Sequence, residues 1–495
     1  MKPDKLSDAI GLTDEALVEE ADRARRVVRR DRRWWVQWVA IAACLCLVAA
    51  CVFTLPQLAP KMPTYVSEPS SSVSTTTTAP KATTSTTDNK PVVSKAMAVS
   101  QAVYPDRAVV SHFETRSKFN DGKYADGLFD FYTPTIRQFL IGEDGENRVF
   151  SPLNAYMALA MRAETTDGNG RQQILDLLHV ENMSALREKV KILWEVNYDK
   201  TQYNASLLAN SVWMSNAFSY NQQTLDTLAE NYYASAFCGE MGDATYTAML
   251  QNWINEQTEG VLEEQVSGVQ LDPSTVLNLV STVYFGAKWI DEFDPELTEE
   301  GVFYAANGDV ICDFMHGEES LRYVSHADGY KAMSHALGGG YEMVFVLPDE
   351  GVSVNEVIGK DSLYSILGEV SHPKVTTERW MVTLTMPKFD VQGDVNLIDG
   401  LKALGVTDIF DAEKADFSPM LENADGVAVS AIQHAARVTV DEQGCTAAAF
   451  WRSDMGFGAP EHNGPLAFTL DRPFLFFIKN QSQGAVLFAG VVECP

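Results

Sequence analysis

The sequence of 495 residues is poor in cysteine, and the spacing of its cysteines excludes two common uses of this residue. The seven cysteines are Cys44, Cys46, Cys51, Cys238, Cys312, Cys445 and Cys494. None forms a Cys-x-x-Cys pair, and three lie within one apolar run. We therefore expect neither a zinc site nor a disulfide framework. The spacing favours free buried thiols over a single bridge between Cys238 and Cys312.

Positive charge is also scarce. The chain has 38 Lys and Arg residues against 67 Asp and Glu residues, which gives a formal net charge of −29 at pH 7. Because phosphate groups bind to basic surfaces, this balance excludes nucleic acid as a partner. The hydrophobic fraction of 46% is ordinary for a globular protein. An acidic surface favours a soluble domain that repels its neighbours, and we expect a monomer.

Motifs of catalysis and cofactor binding are missing. The sequence has no Gly-x-Ser-x-Gly elbow, His-Glu-x-x-His helix, phosphate loop or dinucleotide fingerprint. Its eight histidines do not cluster at the spacing of metal ligands. His434 alternates with apolar residues and is interpreted as a histidine of the core or of a sheet. The sequence therefore predicts no enzyme, no metal and no cofactor.

The N-terminal region has the pattern of a membrane segment. Seven arginines from Arg23 to Arg33 precede 22 residues without a charge, Trp34–Leu55. At ~1.5 Å per residue a helix of this length spans about 33 Å, which is enough to cross a hydrocarbon core. The arginines and the tryptophans that follow them predict a single-pass anchor in the cell membrane, with a cytoplasmic N-terminus. The alternative is a lipoprotein anchored at Cys51, since Val48–Cys51 resembles a bacterial lipobox.

The remaining boundaries follow from composition. A tract rich in Ser, Thr and Pro comes after the apolar run, and it cannot bury enough apolar area to offset its ordering entropy. We predict a cytoplasmic segment 1–33, a transmembrane helix 34–55, a linker 56–120 and one extracytoplasmic domain 121–495.

Within the domain, helical patterns come first and strand patterns later. Apolar residues recur at helical spacing between Leu128 and Trp194, and Tyr246–Thr258 is a further helical stretch. Four runs are rich in strand-forming residues: Leu207–Met214, Val276–Phe285, Tyr341–Leu347 and Met381–Met386. This order, without regular alternation, predicts an α+β fold with large sheets that are mostly antiparallel or mixed.

The most informative segment lies near the C-terminus. A strand pattern ends in the turn signal Asp441–Gly444, and the small residues Cys445–Ala449 come next. Glycine, proline and asparagine then give the composition of an exposed loop. Alternate residues from Cys445 onward share one face, and the charged residues Arg452 and Asp454 fall on the other. The segment is therefore predicted to be able to form either an exposed loop or a half-buried strand.

From near Tyr124 to Pro495 the chain resembles the serpin family, in a bacterial-type, membrane-tethered form. The resemblance rests on six motifs in the order of the family: Asn147–Asn154, Leu277–Trp289, Met386–Phe389, Asp416–Ser418, Phe468–Ile478 and Gly484–Gly490. The residues of the family's C-terminal signature are Phe468, Asp471, Arg472, Pro473 and Phe474. The resemblance also places Trp289 and His434 in the upper part of the main sheet.

The resemblance implies a serpin fold of about eight to nine helices and three β-sheets, with a reactive loop exposed at one end. It implies a serine protease inhibitor that acts as a suicide substrate. The protease cuts the loop and is held as a covalent acyl-enzyme while the loop inserts into the main sheet. The implied hinge of the loop consists of Glu442, Gln443, Gly444, Cys445, Thr446, Ala447, Ala448 and Ala449. Counting the family's usual spacing from Gly444 puts the scissile bond between Gly458 and Ala459, with Phe457 as a second register.

Two residues depart from the family pattern. Cys445 stands where Thr or Ser is usual, and Trp451 falls on the face that must enter the sheet. The large ring favours an alternative function, in which the chain is a non-inhibitory serpin that serves as a binding module at the cell surface. For an inhibitor, the implied partners are serine proteases of the chymotrypsin or elastase type, with subtilisin-like enzymes as a further class.

Overall fold

The computed structural model describes most of the predicted domain. It describes residues 97–102, 104, 127–200, 204–368, 370–423, 426–430, 432–445, 462–481 and 484–495. The predicted cytoplasmic segment, the predicted transmembrane helix Trp34–Leu55 and Cys51 lie outside the described residues. Within the described ranges, no helix combines the length and the apolar character that a membrane crossing requires.

Helices dominate the first third of the described chain. The described residues form ten α-helices: α1 Leu128–Leu140, α2 Pro152–Thr165, α3 Gly168–Leu177, α4 Met183–Asn197, α5 Gln222–Tyr232, α6 Ala244–Gln257, α7 Glu263–Ser267, α8 Val354–Ile358, α9 Asp361–Leu367 and α10 Ile398–Ala403. Side-chain caps fix several of their starts. The Ser151 hydroxyl accepts a hydrogen bond from the Asn154 N–H at 3.3 Å, and Pro152 occupies the first position of α2.

Strands make up most of the remainder. The described residues form eighteen strands: β1 Met97–Ser100, β2 Arg148–Phe150, β3 Asp199–Lys200, β4 Asn204–Ser215, β5 Ala234–Gly239, β6 Leu277–Lys288, β7 Glu299–Ala305, β8 Gly308–His316, β9 Ser320–Ala327, β10 Tyr330–Leu337, β11 Tyr341–Pro348, β12 Thr376–Pro387, β13 Phe389–Asn396, β14 Gln433–Val440, β15 Gly444–Cys445, β16 Pro465–Thr469, β17 Phe474–Asn480 and β18 Val486–Val492.

These strands form three sheets across the described part of the chain. The main sheet has the order β1-β5-β4-β6-β15, and β3 pairs with β4 beside this path. The second sheet has the order β2-β18-β17-β11-β10-β9-β12-β8-β7, and β16 pairs in parallel with β12. The third sheet is the antiparallel pair β13–β14. The fold is therefore the α+β arrangement that the sequence predicts.

The core is centred on β11, β17 and β18, in which every residue is buried. Strands that are covered on both faces have continuous apolar runs rather than alternating ones, which explains their sequence pattern. Helix α2 is buried along nearly its whole length and contacts both β6 of the main sheet and β18 of the second sheet. This helix therefore joins the two large sheets.

The positions of the predicted elements agree with the structure. The four strand-forming runs fall in β4, β6, β11 and β12, and the helical stretch Tyr246–Thr258 coincides with α6. One difference concerns β1, which lies in the range predicted as linker. This short strand pairs antiparallel with β5 at the edge of the main sheet, with Met97 opposite Cys238. The unpaired edge of β5 supplies its hydrogen bonds, a tertiary contribution that local composition does not indicate.

The chain just after β1 is held on the domain by aromatic rings. The ring of Tyr104 stacks on Trp194 with 5.2 Å between centroids, and its centroid lies 5.4 Å from that of Tyr198. The Ala102 N–H donates a hydrogen bond to the Ser235 hydroxyl at 3.0 Å. Burial, together with the neighbouring Tyr198, raises the pKa of Tyr104 to about 12. Residues before the predicted domain boundary thus contribute to its packing.

Candidate functional site

An opening separates β6 of the main sheet from β14 of the third sheet. One edge of β6 pairs with β4 along its length, whereas on its other edge the described residues that pair with it are the two of β15. Strand β14 pairs with β13, and among the described residues no ladder joins β14 to β6. Backbone groups on the facing edges of β6 and β14 are therefore placed to pair with a further strand.

The chain that leaves β14 turns back and enters this opening. In the turn, the Asp441 N–H donates to the Gly444 carbonyl oxygen at 3.0 Å, and the Asp441 carboxylate accepts from the Gln443 N–H at 2.9 Å. Strand β15 then runs antiparallel to β6, with Gly444 opposite Lys288 and Cys445 opposite Ala287. Cys445 is only 2% exposed. The first residues of the predicted loop therefore already belong to the main sheet.

Trp289 connects the end of β6 to this turn. Its indole N–H donates a hydrogen bond to the Asp441 carbonyl oxygen at 3.0 Å, and its backbone N–H donates to the Gln443 carbonyl oxygen at 3.0 Å. The indole packs against His335, with 4.8 Å between ring centroids. Trp289 therefore lies beside the turn that leads from β14 to β15.

Glu442 is fixed by charged and polar neighbours. Its carboxylate accepts a hydrogen bond from the Thr298 hydroxyl at 2.9 Å and lies 3.3 Å from the Lys388 ammonium group. Lys388 in turn pairs with Asp313 at 2.9 Å. Burial favours a higher pKa for Glu442, but hydrogen bonds from its own backbone N–H, Thr298 and Lys388 outweigh this effect and lower the pKa. The start of the hinge is therefore anchored as a carboxylate.

A cavity continues from Cys445 into the opening between β6 and β14. Its volume is about 20 Å³, close to the space that one water molecule needs. It is lined by Val283, Tyr284 and Phe285 of β6, Arg437, Val438 and Thr439 of β14, and Thr258, Val261, Leu262, Cys445, Ile478 and Phe488. Residues Thr258–Leu262, which we call the cover segment, line it from the end of α6, and the Val261 carbonyl oxygen accepts a hydrogen bond from Arg437 at 3.3 Å.

His434 does not lie where the resemblance places it. It is near the start of β14, opposite Val395, whereas the hinge follows the end of that strand. At ~3.3 Å per residue the seven positions from His434 to Asp441 correspond to about 23 Å. The prediction of an upper-sheet position is therefore wrong for this residue. Its imidazole Nε2 accepts a hydrogen bond from the Ser151 N–H at 2.9 Å, as expected of a buried histidine with a partner.

The remainder of the predicted loop lies outside the described residues. This applies to Thr446, Ala447, Ala448 and Ala449 of the hinge, to the predicted scissile bond Gly458–Ala459, to Phe457 and to Trp451. The described chain resumes at His462. The Asn463 N–H donates to the Arg379 carbonyl oxygen at 2.9 Å, and Pro465 begins β16 opposite Met381 of β12. The loop therefore leaves from the main sheet and returns to the second sheet.

The residues of the C-terminal signature have structural contacts. Phe474 packs in the core against Phe389, with 5.7 Å between ring centroids, and Phe468 is fully buried in β16. The Asp471 carbonyl oxygen accepts from the Tyr304 N–H at 2.7 Å. The Arg472 side chain donates to the Pro348 carbonyl oxygen at 3.3 Å, and Pro473 leads into β17. These residues hold the strand that follows the loop.

Sequence reasoning missed three parts of this site. The contact of Thr298 with Glu442 has no local signal, because 144 residues separate the two. The pattern around the cover segment indicates only the end of a helix. The alternation from Cys445 onward indicates that the segment can form a strand, but not that its first two residues pair with β6 in the uncut chain. Of the described cysteines, Cys238, Cys312, Cys445 and Cys494 are free, and no bridge joins Cys238 to Cys312. The preferred interpretation of free buried thiols holds in full for Cys445, whereas the other three are half-buried.

Comparison with protein families gives one match to most of the chain. A family model described as "Serpin (serine protease inhibitor)" matches residues 129–495. The chain is 28% identical over 384 residues to an uncharacterized serpin-like protein of Methanosarcina acetivorans, covering 74% of this chain and 84% of the relative. It is also 28% identical over 409 residues to human neuroserpin, covering 78% of this chain and 94% of neuroserpin.

Solved structures share the fold. The thermophilic serpin tengpin in its native state matches with a TM-score of 0.65 and 23% identity, over 81% of this chain and all of tengpin. Human thyroxine-binding globulin complexed with thyroxine matches with a TM-score of 0.63 and 21% identity, over 77% of this chain and 99% of that structure. At these identities the comparison concerns the fold alone.

Proposed function

The chain belongs to the serpin family, and we propose that it inhibits serine proteases through the loop that follows Cys445. Proteins of this family are generally protease inhibitors rather than enzymes. The observation that carries the proposal is the position of β15. Two residues of the hinge are already paired with β6, and the opening between β6 and β14 continues directly from Cys445.

The chemistry begins as ordinary proteolysis. The serine Oγ of the protease attacks the carbonyl carbon of Gly458, and its proton passes to the histidine of the protease. The bond to the Ala459 nitrogen breaks, and this nitrogen leaves with the proton from the histidine. An ester then joins the serine to Gly458. Attack of water on this ester would release an active protease, so inhibition depends on what happens before that step.

Insertion of the cut loop competes with hydrolysis. The segment after Cys445 continues β15 as a new strand between β6 and β14, and backbone hydrogen bonds form on both of its sides. The fifteen residues from Gly444 to Gly458 span about 50 Å at ~3.3 Å each. The attached protease is carried over that distance, and its catalytic geometry is distorted. The free energy released by completing the sheet is the driving force, since the uncut fold is metastable.

Sequence composition supports this insertion. Residues Ala447–Ala449 are small, and proline is missing between Gly444 and Ala459. Proline would donate no hydrogen bond to the ladder of a strand inside a sheet. Small side chains need little space between β6 and β14. The bond Gly458–Ala459 suits an elastase-like protease, and cleavage after Phe457 suits a chymotrypsin-like enzyme with an apolar pocket. Subtilisin-like enzymes are a further class of target.

We also propose where the inhibitor acts. The apolar run Trp34–Leu55 serves as a single-pass anchor, the linker holds the domain off the membrane, and the monomeric serpin domain faces the extracytoplasmic side. A lipid on Cys51 after cleavage at the lipobox-like sequence is the second form of anchor. Both forms correspond to a bacterial-type protein that protects the cell surface from proteases.

A second function is a non-inhibitory binding module on the same scaffold. Trp451 favours this second function, because a large ring on the inserting face slows insertion of the loop into the sheet. Hydrolysis of the acyl-enzyme is then faster than insertion, and the protease is released active. The structural likeness to thyroxine-binding globulin, which was solved with its ligand, shows that a fold of this kind can carry a binding function.

Denaturing gels separate the two functions. The full-length chain is mixed with chymotrypsin, pancreatic elastase and subtilisin, and the products are denatured without reducing the sample. A band at the summed mass of chain and protease, with loss of protease activity, supports inhibition. Cleaved chain alone, with full protease activity for all three enzymes, would contradict inhibition and support the binding module. Mass spectrometry of the released C-terminal fragment identifies the scissile bond.

A further inference from the structure

The place where the loop returns to the second sheet carries an exposed arginine. Arg379 of β12 stands opposite Tyr323 of β9, and its backbone carbonyl oxygen accepts the hydrogen bond from Asn463 at the end of the loop. Next to it, the Glu378 carboxylate accepts a hydrogen bond from the Asn463 side chain at 2.9 Å. The position of Arg379 relative to the loop is therefore set by the backbone of the second sheet.

The side chain of Arg379 is held in one orientation by a neutral partner. Its Nε donates to the Tyr323 hydroxyl at 2.8 Å, and Nη2 donates to the same oxygen. The guanidinium carbon lies 4.9 Å from the centroid of the Tyr323 ring. Arg379 is exposed, and Tyr323 is 58% exposed. The pair thus presents a fixed cation and an aromatic ring to solvent, on a chain whose formal net charge is −29.

A protease that cuts the proposed bond is large enough to contact this pair. Ala459 and Asn463 are four positions apart in the chain, and a fully extended chain over that spacing reaches about 14 Å. A catalytic domain of about 240 residues has a radius of gyration of roughly 18 Å. The body of the protease is therefore large enough to reach the surface beside Asn463, with the side of its cleft that receives the residues after the scissile bond.

The chemistry of the pair indicates what it recognises. Arginine and tyrosine are the residue types that most often dominate the binding energy of protein interfaces. A guanidinium that is already oriented loses little side-chain entropy when it meets a carboxylate, and the contact strengthens as the protease excludes water. Resting on the function proposed above, we propose that Tyr323 and Arg379 form a second contact surface for the protease. This surface selects proteases that carry a carboxylate beside the active-site cleft, on the side of the cleft that binds the residues after the scissile bond.

The test measures the second-order rate at which intact loop is consumed, counting both covalent complex and cleaved chain. Full-length wild type, Arg379→Glu, Arg379→Ala and Tyr323→Phe are each mixed with chymotrypsin, pancreatic elastase and subtilisin. Lys402→Glu is the matched control. Lys402→Glu makes the same change of charge as Arg379→Glu, but on α10. This helix follows the end of β13 that pairs with Gln433, the start of β14, whereas the hinge follows the other end of β14. Unfolding midpoints verify that each variant is folded.

We expect Arg379→Glu to slow loop consumption about tenfold for at least one of the three enzymes, because charges at the rim of an interface act mainly on the association rate. Arg379→Ala and Tyr323→Phe should show smaller losses in the same enzyme, and Lys402→Glu should stay within about twofold of wild type. The difference should shrink as salt is raised from about 0.05 to about 0.5 M, since ions screen exposed charges.

Three results would overturn the proposal. One is a rate of loop consumption within twofold of wild type for Arg379→Glu with all three enzymes. Another is an equal loss in Lys402→Glu, which would make net charge the cause. The third is a change of oligomeric state in sedimentation for Arg379→Glu, which would show that the surface contacts a second copy of the chain. The rate of loop consumption counts both covalent complex and cleaved chain. A chain that is cleaved without trapping the protease therefore still tests the contact with Arg379, and a failure of inhibition is distinguished from a failure of this contact.

Discussion

Gly444 lies directly against the backbone of Ala287. A Cβ atom on Gly444 would overlap the Ala287 carbonyl oxygen and would lie 2.6 Å from the Lys288 Cα atom. The φ angle of Gly444 is +143°, in a region that residues with a side chain rarely adopt. Only glycine therefore allows the hinge to enter the sheet at this position.

Replacing this glycine should release the hinge. In Gly444→Ala, backbone strain of about 1–3 kcal/mol and the overlap with Ala287 favour a hinge outside the sheet. Cys445 then becomes a reporter, because burial, with a contribution from the charge of Asp441, raises the pKa of its thiol in the folded chain. We expect alkylation of Cys445 to become at least about tenfold faster, since about 1.4 kcal/mol corresponds to a factor of ten.

Iodoacetamide labelling of the native chain, followed by peptide mass spectrometry, measures this rate for each cysteine separately. Gly308→Ala is the matched control, because Gly308 also has a positive φ of +122° but no atom lies within 4 Å of an added Cβ. Unchanged protection of Cys445 in Gly444→Ala would show that the hinge tolerates a side chain at that position.

Blocking strand formation should convert the inhibitor into a substrate. Ala447→Pro removes a backbone N–H that the inserted loop needs, whereas Ala447→Ser keeps both the N–H and a small side chain. For proline we expect loop cleavage at the wild-type rate with little covalent complex, and for serine we expect complex formation as in wild type. Denaturing gels with the protease that wild type traps measure both products. Equal yields of complex for wild type and Ala447→Pro would argue against insertion.

Acid should weaken the fold through His434. Burial lowers the pKa of this histidine to about 4, from an ordinary value of about 6.5 in the unfolded chain. Between these pH values the unfolded chain binds a proton that the folded chain does not. The contribution to stability is therefore complete above about pH 6.5 and is lost as the pH falls toward 4, by roughly 3 kcal/mol. Protonated Nε2 also cannot accept the hydrogen bond from Ser151.

Urea unfolding midpoints from about pH 7.5 to about pH 4.5 measure this loss. His434→Gln keeps a hydrogen-bond acceptor but does not titrate in this range, so its midpoint should fall less steeply with acid than that of wild type. His335, whose pKa burial also lowers to about 4, stays in both proteins and serves as a common background. Parallel pH profiles for the two proteins would contradict the assignment to His434.

The aromatic contacts after β1 should contribute measurably to stability. Tyr104→Ala removes the ring that stacks on Trp194 and packs against Tyr198. We expect the free energy of unfolding to fall by about 1–3 kcal/mol. Tyr104→Phe keeps the ring and should stay close to wild type. Met97→Ala in β1 is the control for a change without lost burial, because Met97 is 59% exposed. Chemical unfolding followed by tryptophan fluorescence gives these values, and a loss under about 0.5 kcal/mol in Tyr104→Ala would contradict the role of the ring.

The sequence predicted the fold well where local patterns and burial agree. The strand-forming run Tyr341–Leu347 lies in β11, which is buried on both faces, and the helical run after Tyr246 forms α6. In each case, the period of the apolar residues reflects the environment of the element directly. The free state of Cys238 and Cys312 followed in the same way from spacing.

The site was less predictable, because its contacts join residues that are distant in the chain. Nothing in the residues around Thr298 indicates the bond to Glu442, and nothing around Val261 indicates the bond to Arg437. The alternation around His434 correctly indicated a buried residue, but the partner of this residue, the Ser151 N–H, lies 283 positions away in the chain. Tertiary packing brings the two together, and local sequence patterns do not indicate it.

The pairing of Cys445 with β6 bears on how quickly the cut loop could insert into the main sheet. Joining a mobile segment to a sheet carries an entropic cost of loop closure, and that cost falls on the first contact rather than on those that follow. In this chain the first contact exists before any protease arrives, because β15 already pairs with β6. In the mechanism proposed above, the strand would only have to lengthen after cleavage, residue by residue, as the bond between the cover segment and Arg437 breaks. Insertion would then compete with hydrolysis without the entropic cost of forming a first contact.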